Sequence, residues 1–173
     1  KSMIGNKCSK NIPGLAMVST MYNPDVFGKL IYKKDLNLIE NEGRPCLVLL
    51  FNKDNKKIIV INVHMPWQEK HNEAIKTLNK LFFNDKILNS AIKEKDIKII
   101  MLGDFNDSNT SINLNNPLLL KNSYGNIKMT YKKSKSQAKK TLKSCCWHKP
   151  KHKYKHFSDT GDYILVNKNI EQK

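Results

Sequence analysis

Long hydrophobic runs are absent from this sequence of 173 residues. No stretch approaches the roughly eighteen consecutive apolar residues of a membrane-spanning helix, so the sequence predicts no membrane span. An apolar signal core is also absent near the first residue. Cysteine is scarce, and its four occurrences form neither a paired Cys-x-x-Cys zinc pattern nor an obvious disulfide framework: Cys8, Cys46, Cys145 and Cys146. We therefore expect reduced thiols and an intracellular protein, either cytoplasmic or nuclear.

Acidic residues are few, and arginine is almost missing. The chain has 15 acidic residues against 31 basic ones, which gives a formal net charge of +16, and Arg44 is its single arginine. Between Ser108 and Ser158 there is no acidic residue, whereas there are twelve lysines. This balance favours polyanionic partners, chiefly nucleic acid or an anionic membrane surface. A solvated basic loop is the alternative for region 108–158, and it is compatible with a surface that contacts phosphates.

The last part of this basic region alternates between lysines and aromatic rings. An extended chain would place Lys151, Lys153 and Lys155 on one face, so these lysines are candidate phosphate contacts. A zinc site is the alternative for the nearby thiol and imidazole groups, Cys145, Cys146, His148, His152 and His156. Pro150 prevents a continuous helix through them, and their spacing matches no familiar zinc module.

The length suits one domain with a real core, and the pattern alternates between strands and helix. We expect a single domain over residues 1–173, with the basic loop region 108–158 inside it. The predicted strands are Leu15–Tyr22, Lys29–Lys33, Pro45–Asn52, Lys57–Met65, Ile97–Leu102, Lys128–Tyr131, Ser144–His148 and Asp162–Val166. A long amphipathic helix is predicted over Trp67–Lys95, with an interruption at Asn84-Asp85. Residues 1–13 and Asp35–Gly43 are predicted to be irregular, and no repeat is visible.

The stretch Ile97–Asp107 organises the rest of the sequence. Its apolar first half is typical of a strand buried on both faces, and Gly103 then breaks the run. Asp104 and Asn106 follow two residues apart, so an extended chain can project them the same way. A carboxylate and an amide offer oxygen ligands to a hard cation and a hydrogen-bond donor to a phosphate. An Asx turn, in which both residues bond their own backbone, is the alternative.

Two further strands also end in polar residues. Asn62 and His64 lie near the end of one strand, and Asp162 lies at the start of the last one. Metal-assisted attack of water on a phosphate ester needs carboxylates for the cation and donors for the charge that develops on phosphorus. These residue types supply both. For His64 alone, a core histidine bonded to a backbone carbonyl is the alternative.

Three short motifs resemble the central motifs of the endonuclease/exonuclease/phosphatase superfamily: Asn62-Val63-His64, Gly103-Asp104-Phe105-Asn106 and Asp162-Tyr163-Ile164. This superfamily includes pancreatic-type deoxyribonuclease, abasic-site endonucleases, inositol polyphosphate 5-phosphatases and sphingomyelinases. The resemblance spans roughly Pro45–Asn167. It implies an α/β fold of the deoxyribonuclease I type, a two-layered mixed β-sandwich flanked by helices, which is incomplete here.

The resemblance also implies a role for each matched residue. Asp104 would orient or deprotonate the attacking water and, with Asn106, lie at a Mg²⁺ (or Mn²⁺) ion. Asn106 would bind the scissile phosphate, and His64 would donate a hydrogen bond to one of its oxygens. Asn62 would support the substrate site. Asp162 would orient a catalytic histidine that the family carries near its C-terminus.

Two parts of the family pattern have no match in this sequence. The N-terminal metal-binding glutamate is missing, and so is the C-terminal Ser-Asp-His motif, which suggests a partial domain with weak catalysis on its own. The favoured interpretation is a metal-dependent phosphodiesterase, in particular a nuclease that hydrolyses DNA or RNA. A phosphoinositide or other phosphomonoester phosphatase of the same fold, or a catalytically inactive nucleic-acid-binding module, is the alternative. The oligomeric state stays open.

Overall fold

Nine strands in two sheets make up the β-structure of the computed structural model, which describes residues 2–5, 18–106, 118–122, 125–131 and 162–170. A small sheet pairs β1 (Ser2–Gly5) with β2 (Ser19–Tyr22). The large sheet has the strand order β3-β4-β5-β6-β9-β8-β7, with the bounds β3 Lys29–Asn37, β4 Pro45–Lys53, β5 Lys56–His64, β6 Lys98–Asp104, β7 Leu118–Asn122, β8 Gly125–Tyr131 and β9 Asp162–Val166. β5 and β6 are parallel, and the other neighbouring pairs are antiparallel.

Three helices accompany the strands in the described part of the chain. They are α1 (Pro24–Phe27), α2 (His71–Asn84) and α3 (Lys86–Ala91), and a 3₁₀ turn over Gln68–Lys70 precedes α2. Asp85 separates α2 from α3 because its backbone is extended, and its carboxylate accepts the Ile87 and Leu88 N–H groups at 3.0 Å each. This is N-capping, which begins a new helix. The predicted interruption at this point is confirmed.

The helices cover one face of the large sheet. α2 and α3 connect β5 to β6, and a parallel strand pair requires such a crossover. Ala74, Leu78 and Phe82 recur at a spacing of four residues and are fully buried. They belong to one core cluster with alternate residues of the strands, among them Val48, Leu50, Ile59, Ile61, Ile99 and Met101. Truncating a ring as buried as that of Phe82 typically costs about 3–5 kcal/mol.

The opposite face of the sheet has its own, smaller core. Leu47, Leu49, Phe51 and Val60 are the buried strand residues on this side, and they alternate along the chain with the helix-facing ones. Tyr22 at the end of β2 packs edge-to-face on Phe51, with ring centroids 4.7 Å apart. The sheet is therefore covered by helices on one face and by β2 on the other. This architecture confirms the predicted α/β class with a mixed sheet.

Several boundaries differ from the sequence prediction. β1 lies in a region predicted to be irregular, and β3 continues to Asn37, into the predicted loop, because Asp35 and Leu36 pair with β4. The helix begins at His71 rather than at Trp67. The predicted strand Ser144–His148 and most of the basic region 108–158 lie outside the described residues. None of the described helices has the length and apolar character to cross a membrane.

Candidate active site at the ends of β5, β6 and β9

The polar ends of three strands meet at one edge of the large sheet. β5 and β6 are parallel, so both end at this edge, and His64 is the register partner of Asp104. β9 runs antiparallel to β6, so its first residue, Asp162, is the register partner of the same Asp104. The predicted grouping of these strand ends is present in the backbone.

A pocket of about 330 Å³ opens at this edge, on the sheet face opposite α2. It is lined by Val18, Ser19, Asn62, Val63, His64, Gly103 and Asp104. Asn62, His64 and Asp104 were predicted from separate parts of the sequence. Asn62 and His64 share one face because positions two apart on a strand project the same way, and Asp104 is the register partner of His64 on the neighbouring strand.

Gly103 allows β5 and β6 to approach closely beside the pocket. Its φ is +134°, a region that other residues rarely adopt, and a Cβ atom at this position would lie 1.9 Å from the carbonyl oxygen of Val63. The glycine before Asp104 is therefore required by the backbone itself.

Asp104 and Asn106 are fixed by a tight turn. Asp104 Oδ1 accepts the N–H of Asn106 at 2.8 Å, and Asn106 has a positive φ of 47°. The Asn106 side chain donates from Nδ2 to the carbonyl oxygen of Met65 at 2.7 Å, which links the segment after β6 to the end of β5. The Asx turn that the sequence left as an alternative is thus present for Asp104 but not for Asn106, whose side chain bonds Met65 instead, and it holds Asp104 at the pocket.

His64 lies between a cation and a carboxylate. Its Nε2 atom is 3.1 Å from Arg44 Nη1 and 4.0 Å from Asp104 Oδ2. The side chains of His64 and Asp104 are 26% and 32% exposed, so solvent reaches both. The same Arg44 nitrogen donates to the carbonyl oxygen of Met65 at 3.4 Å.

Asn62 is buried and connects the two sheets. Its Nδ2 atom donates to the carbonyl oxygen of Ser19 at 2.8 Å and to Thr20 Oγ1 at 3.2 Å. Both contacts lie on β2, so the amide holds β2 over the pocket. This position suits the supporting role that the resemblance implies.

Two residues at the site were missed in the sequence analysis. Arg44 contacts His64, and its status as the single arginine was the available signal. His71, the first residue of α2, has its Nε2 atom 3.0 Å from the carbonyl oxygen of Pro66 and 2.8 Å from that of Phe105. It thereby holds together the segments that follow β5 and β6. The sequence around His71 did not predict this role, because its contact with Phe105 depends on how the connection between β5 and β6 packs against the sheet.

The donor set around the pocket fits a divalent cation of the magnesium type. Among the described residues there is no group of three or more His, Cys, Asp or Glu side chains that could hold a metal ion. Asp104 is the one carboxylate among the described pocket residues. Protein-bound Mg²⁺ is often held by only one or two carboxylates, with waters and substrate phosphates completing its shell. Asp104 and the Asn106 amide oxygen match that requirement.

Four candidate residues cannot be placed at the side-chain level. Lys151, Lys153 and Lys155 lie outside the described part of the chain. Asp162 is placed by its backbone alone, opposite Asp104. Their roles remain predictions.

Solved structures align with this chain at low similarity, whereas no protein-family model and no curated protein matches the sequence. The human Nocturnin catalytic domain with bound sulfate is 15% identical, with a TM-score of 0.42, and the match covers 81% of this chain and 48% of that one. D. rerio TDP2 complexed with a single-strand DNA product is 13% identical, with a TM-score of 0.40 and coverages of 80% and 53%. The Bacteroides thetaiotaomicron mannosyl-6-phosphatase Bt3783 is 14% identical, with a TM-score of 0.40 and coverages of 81% and 53%.

The chain spans about half the length of these three structures. Since the identities and TM-scores are low, we base the proposed function on the side chains of the chain itself.

Proposed function

We propose that this chain forms part of a metal-dependent phosphodiesterase, specifically a nuclease that hydrolyses phosphodiester bonds of DNA or RNA. The observation that supports the proposal is the placement of Asn62, His64 and Asp104 in one pocket, with Asn106 fixed beside it. A carboxylate, an imidazole and two amides around one pocket are the groups that hydrolysis of a phosphate ester uses.

Each residue has a task that its contacts allow. Asp104 Oδ1 is engaged by a backbone N–H, and its second oxygen faces His64, where it would accept a hydrogen bond from the attacking water. The Asn106 amide uses one N–H on Met65 and would donate its second one to a phosphate oxygen. Asp104 and the Asn106 Oδ1 atom would hold Mg²⁺ or Mn²⁺, which when bound supplies positive charge for the phosphate.

The charge of the chain supports a polyanionic substrate. A net charge of +16 gives a salt-dependent attraction to nucleic-acid backbone that does not depend on base sequence. Lys151, Lys153 and Lys155 would contribute direct phosphate contacts. We place this activity inside the cell, in cytoplasm or nucleus, where buried thiols such as Cys46 stay reduced.

The test is a cleavage assay on plasmid DNA and on RNA, with Mg²⁺, with Mn²⁺ and with EDTA. It uses the 173-residue chain and the full reading frame that contains it. Asp104→Asn should lower metal-dependent cleavage by about three powers of ten, a typical loss for such a group. Asp54→Asn is the matched control because it removes the same charge from the exposed β4–β5 turn, and it should leave cleavage unchanged.

The outcomes separate the alternatives. Cleavage that survives Asp104→Asn, or that needs no metal, would contradict the proposal. Release of phosphate from a phosphoinositide without cleavage of nucleic acid would favour the phosphatase alternative. Salt-sensitive binding of nucleic acid by the full reading frame without any cleavage would favour the inactive binding module.

A further inference from the structure

The single arginine of the chain is used in an unusual way. Arg44 directs Nη1 at His64 Nε2, 3.1 Å away, and at the carbonyl oxygen of Met65, 3.4 Å away. One of these contacts is an imidazole nitrogen and the other is a backbone carbonyl. Among the described residues no carboxylate forms an ion pair with Arg44, and its buried Nε atom has no hydrogen-bond partner there. A guanidinium usually pairs with carboxylate or phosphate, so this charge is not neutralised by its surroundings.

The contact between Arg44 and His64 fixes the position of a proton. A guanidinium has five N–H donors and no acceptor, and it stays charged in proteins. His64 Nε2 must therefore accept the hydrogen bond with its lone pair, which requires a neutral ring that carries its proton on Nδ1. The 4.0 Å approach of the same Nε2 atom to Asp104 Oδ2 is then not an ion pair, because an unprotonated Nε2 cannot donate to a carboxylate.

We propose that Arg44 is a positioning residue that donates from Nη1 to His64 Nε2, so that the proton of the His64 ring lies on Nδ1 and the guanidinium supplies the positive charge beside the pocket. The tautomer is inferred from the 3.1 Å contact with Arg44. The consequence, that the guanidinium rather than an imidazolium faces the charge of a bound phosphate, rests on the function proposed above.

His71 serves as an internal reference because its proton is expected on the other ring nitrogen, Nε2. Its Nε2 atom is within hydrogen-bond distance of two carbonyl oxygens, from Pro66 and Phe105, and carbonyl oxygens only accept. His71 therefore carries a proton on Nε2. One spectrum should show the two histidines with different protonated nitrogens.

The test is a long-range ¹H–¹⁵N correlation spectrum of the imidazoles in the ¹⁵N-labelled 173-residue chain. A pH of about 8 keeps a histidine of ordinary pKa neutral. His64→Gln identifies the His64 signals. The proposal expects a protonated Nδ1 and an unprotonated Nε2 for His64, and the reverse for His71.

Substitutions at Arg44 distinguish an effect on the His64 proton from an effect on the stability of the fold. Arg44→Met removes the donor and should move the His64 proton toward Nε2, while the His71 signals stay unchanged and report an intact fold. Arg44→Lys keeps the charge but not the planar donor group, so an intermediate position is expected. Lys98→Met removes one positive charge from the exposed start of β6 and should change neither histidine.

Two results would overturn the proposal: a proton on His64 Nε2 in the unmodified chain, or a His64 signal that does not respond to Arg44→Met while His71 shows the fold intact. Should Arg44→Met fail to fold, the spectrum of the unmodified chain and that of Arg44→Lys still decide the question. If the position of the His64 proton responds to Arg44→Met but the protein shows no cleavage, the proposed function is refuted and the positioning role of Arg44 is supported. If the protein cleaves nucleic acid but the His64 proton lies on Nε2, the positioning role is refuted and the proposed function is supported.

Discussion

Charged side chains have different partners at the two ends of β5 and β6. At the amino ends, Lys57 is bonded directly to the carboxylate of Glu94, so a cation and an anion neutralise each other. At the carboxyl ends, Arg44 donates to His64 and to a backbone carbonyl, and Asp104 accepts a backbone N–H. Among the described residues, the cation at the amino ends is paired with an anion. At the carboxyl ends, the Arg44 guanidinium and the Asp104 carboxylate bond mainly to an imidazole and to backbone groups.

This difference separates a structural end from a functional one. A partly exposed ion pair such as Lys57–Glu94 contributes about 1 kcal/mol and offers little net charge to a ligand. A charge held by uncharged partners is oriented without being cancelled, so it can act on a substrate that enters the pocket.

Gly103→Ala should have the largest effect on stability. The new methyl group would overlap the Val63 carbonyl oxygen, which is backbone and cannot turn away, and φ is positive. Strain and overpacking together should cost about 3 kcal/mol. Urea unfolding should show a lower midpoint with an unchanged slope. Ser90→Ala, at an exposed helix position, is the control, and its free energy of unfolding should change by no more than about 0.5 kcal/mol. An unchanged midpoint for Gly103→Ala would contradict the close approach of β5 and β6.

Asp85→Ala tests a carboxylate that is held by neutral donors but lies away from the pocket. Asp85 accepts from the Tyr32 hydroxyl and from the backbone of Ile87 and Leu88. Loss of this cap should cost about 1–2 kcal/mol and leave cleavage unchanged. Thermal unfolding and the cleavage assay measure the two effects, and a loss of cleavage in a folded variant would contradict the separation.

The pH dependence of the same substitution is also defined. Burial alone would raise the pKa of Asp85, but hydrogen bonds from Tyr32, Leu88 and Ile87 bring it below its ordinary value. The stabilisation is therefore fully present above the unfolded-state pKa of about 4, and it is lost as the pH falls through the lower folded-state pKa. The difference in unfolding free energy between the two proteins should be constant near neutral pH and shrink below about pH 4.

Lys57→Met should have the smallest effect. It removes the partly exposed ion pair with Glu94, so the free energy of unfolding should fall by about 1 kcal/mol, and the difference should shrink in high salt. Cleavage should not change, because the pair lies at the end of β5 away from the pocket. A large loss of cleavage would erase the contrast between the two ends.

The sheet and the grouping of its polar ends could be predicted because they follow from local patterns. Apolar β-branched runs identified β5 and β6, and parallel strands must end at the same edge. The sequence therefore predicts Asn62, His64 and Asp104 at one edge of the sheet. The strand β9 was recognised in the same way, with Asp162 at its start.

The parts that were missed depend on contacts distant in the sequence. The polar residues Asp35 and Asn37 resemble a loop, and only pairing with β4 makes them part of an edge strand. Asn37 Oδ1 then accepts the N–H of Arg44 at 2.6 Å, which places that arginine beside His64. His71 reaches Phe105 across 34 residues for the same kind of reason. Local propensity carries no information about either contact.

A titration followed by amide chemical shifts tests the central claim most directly. The ¹⁵N-labelled chain would receive Mg²⁺ and a short phosphorothioate oligonucleotide that resists cleavage, and every described backbone amide would be monitored. The account predicts that the shifts concentrate at the pocket end of the sheet, on Asn62, His64, Gly103, Asp104 and Asn106. Shifts confined to the opposite end, on Lys56, Lys57 and Lys98, would contradict it.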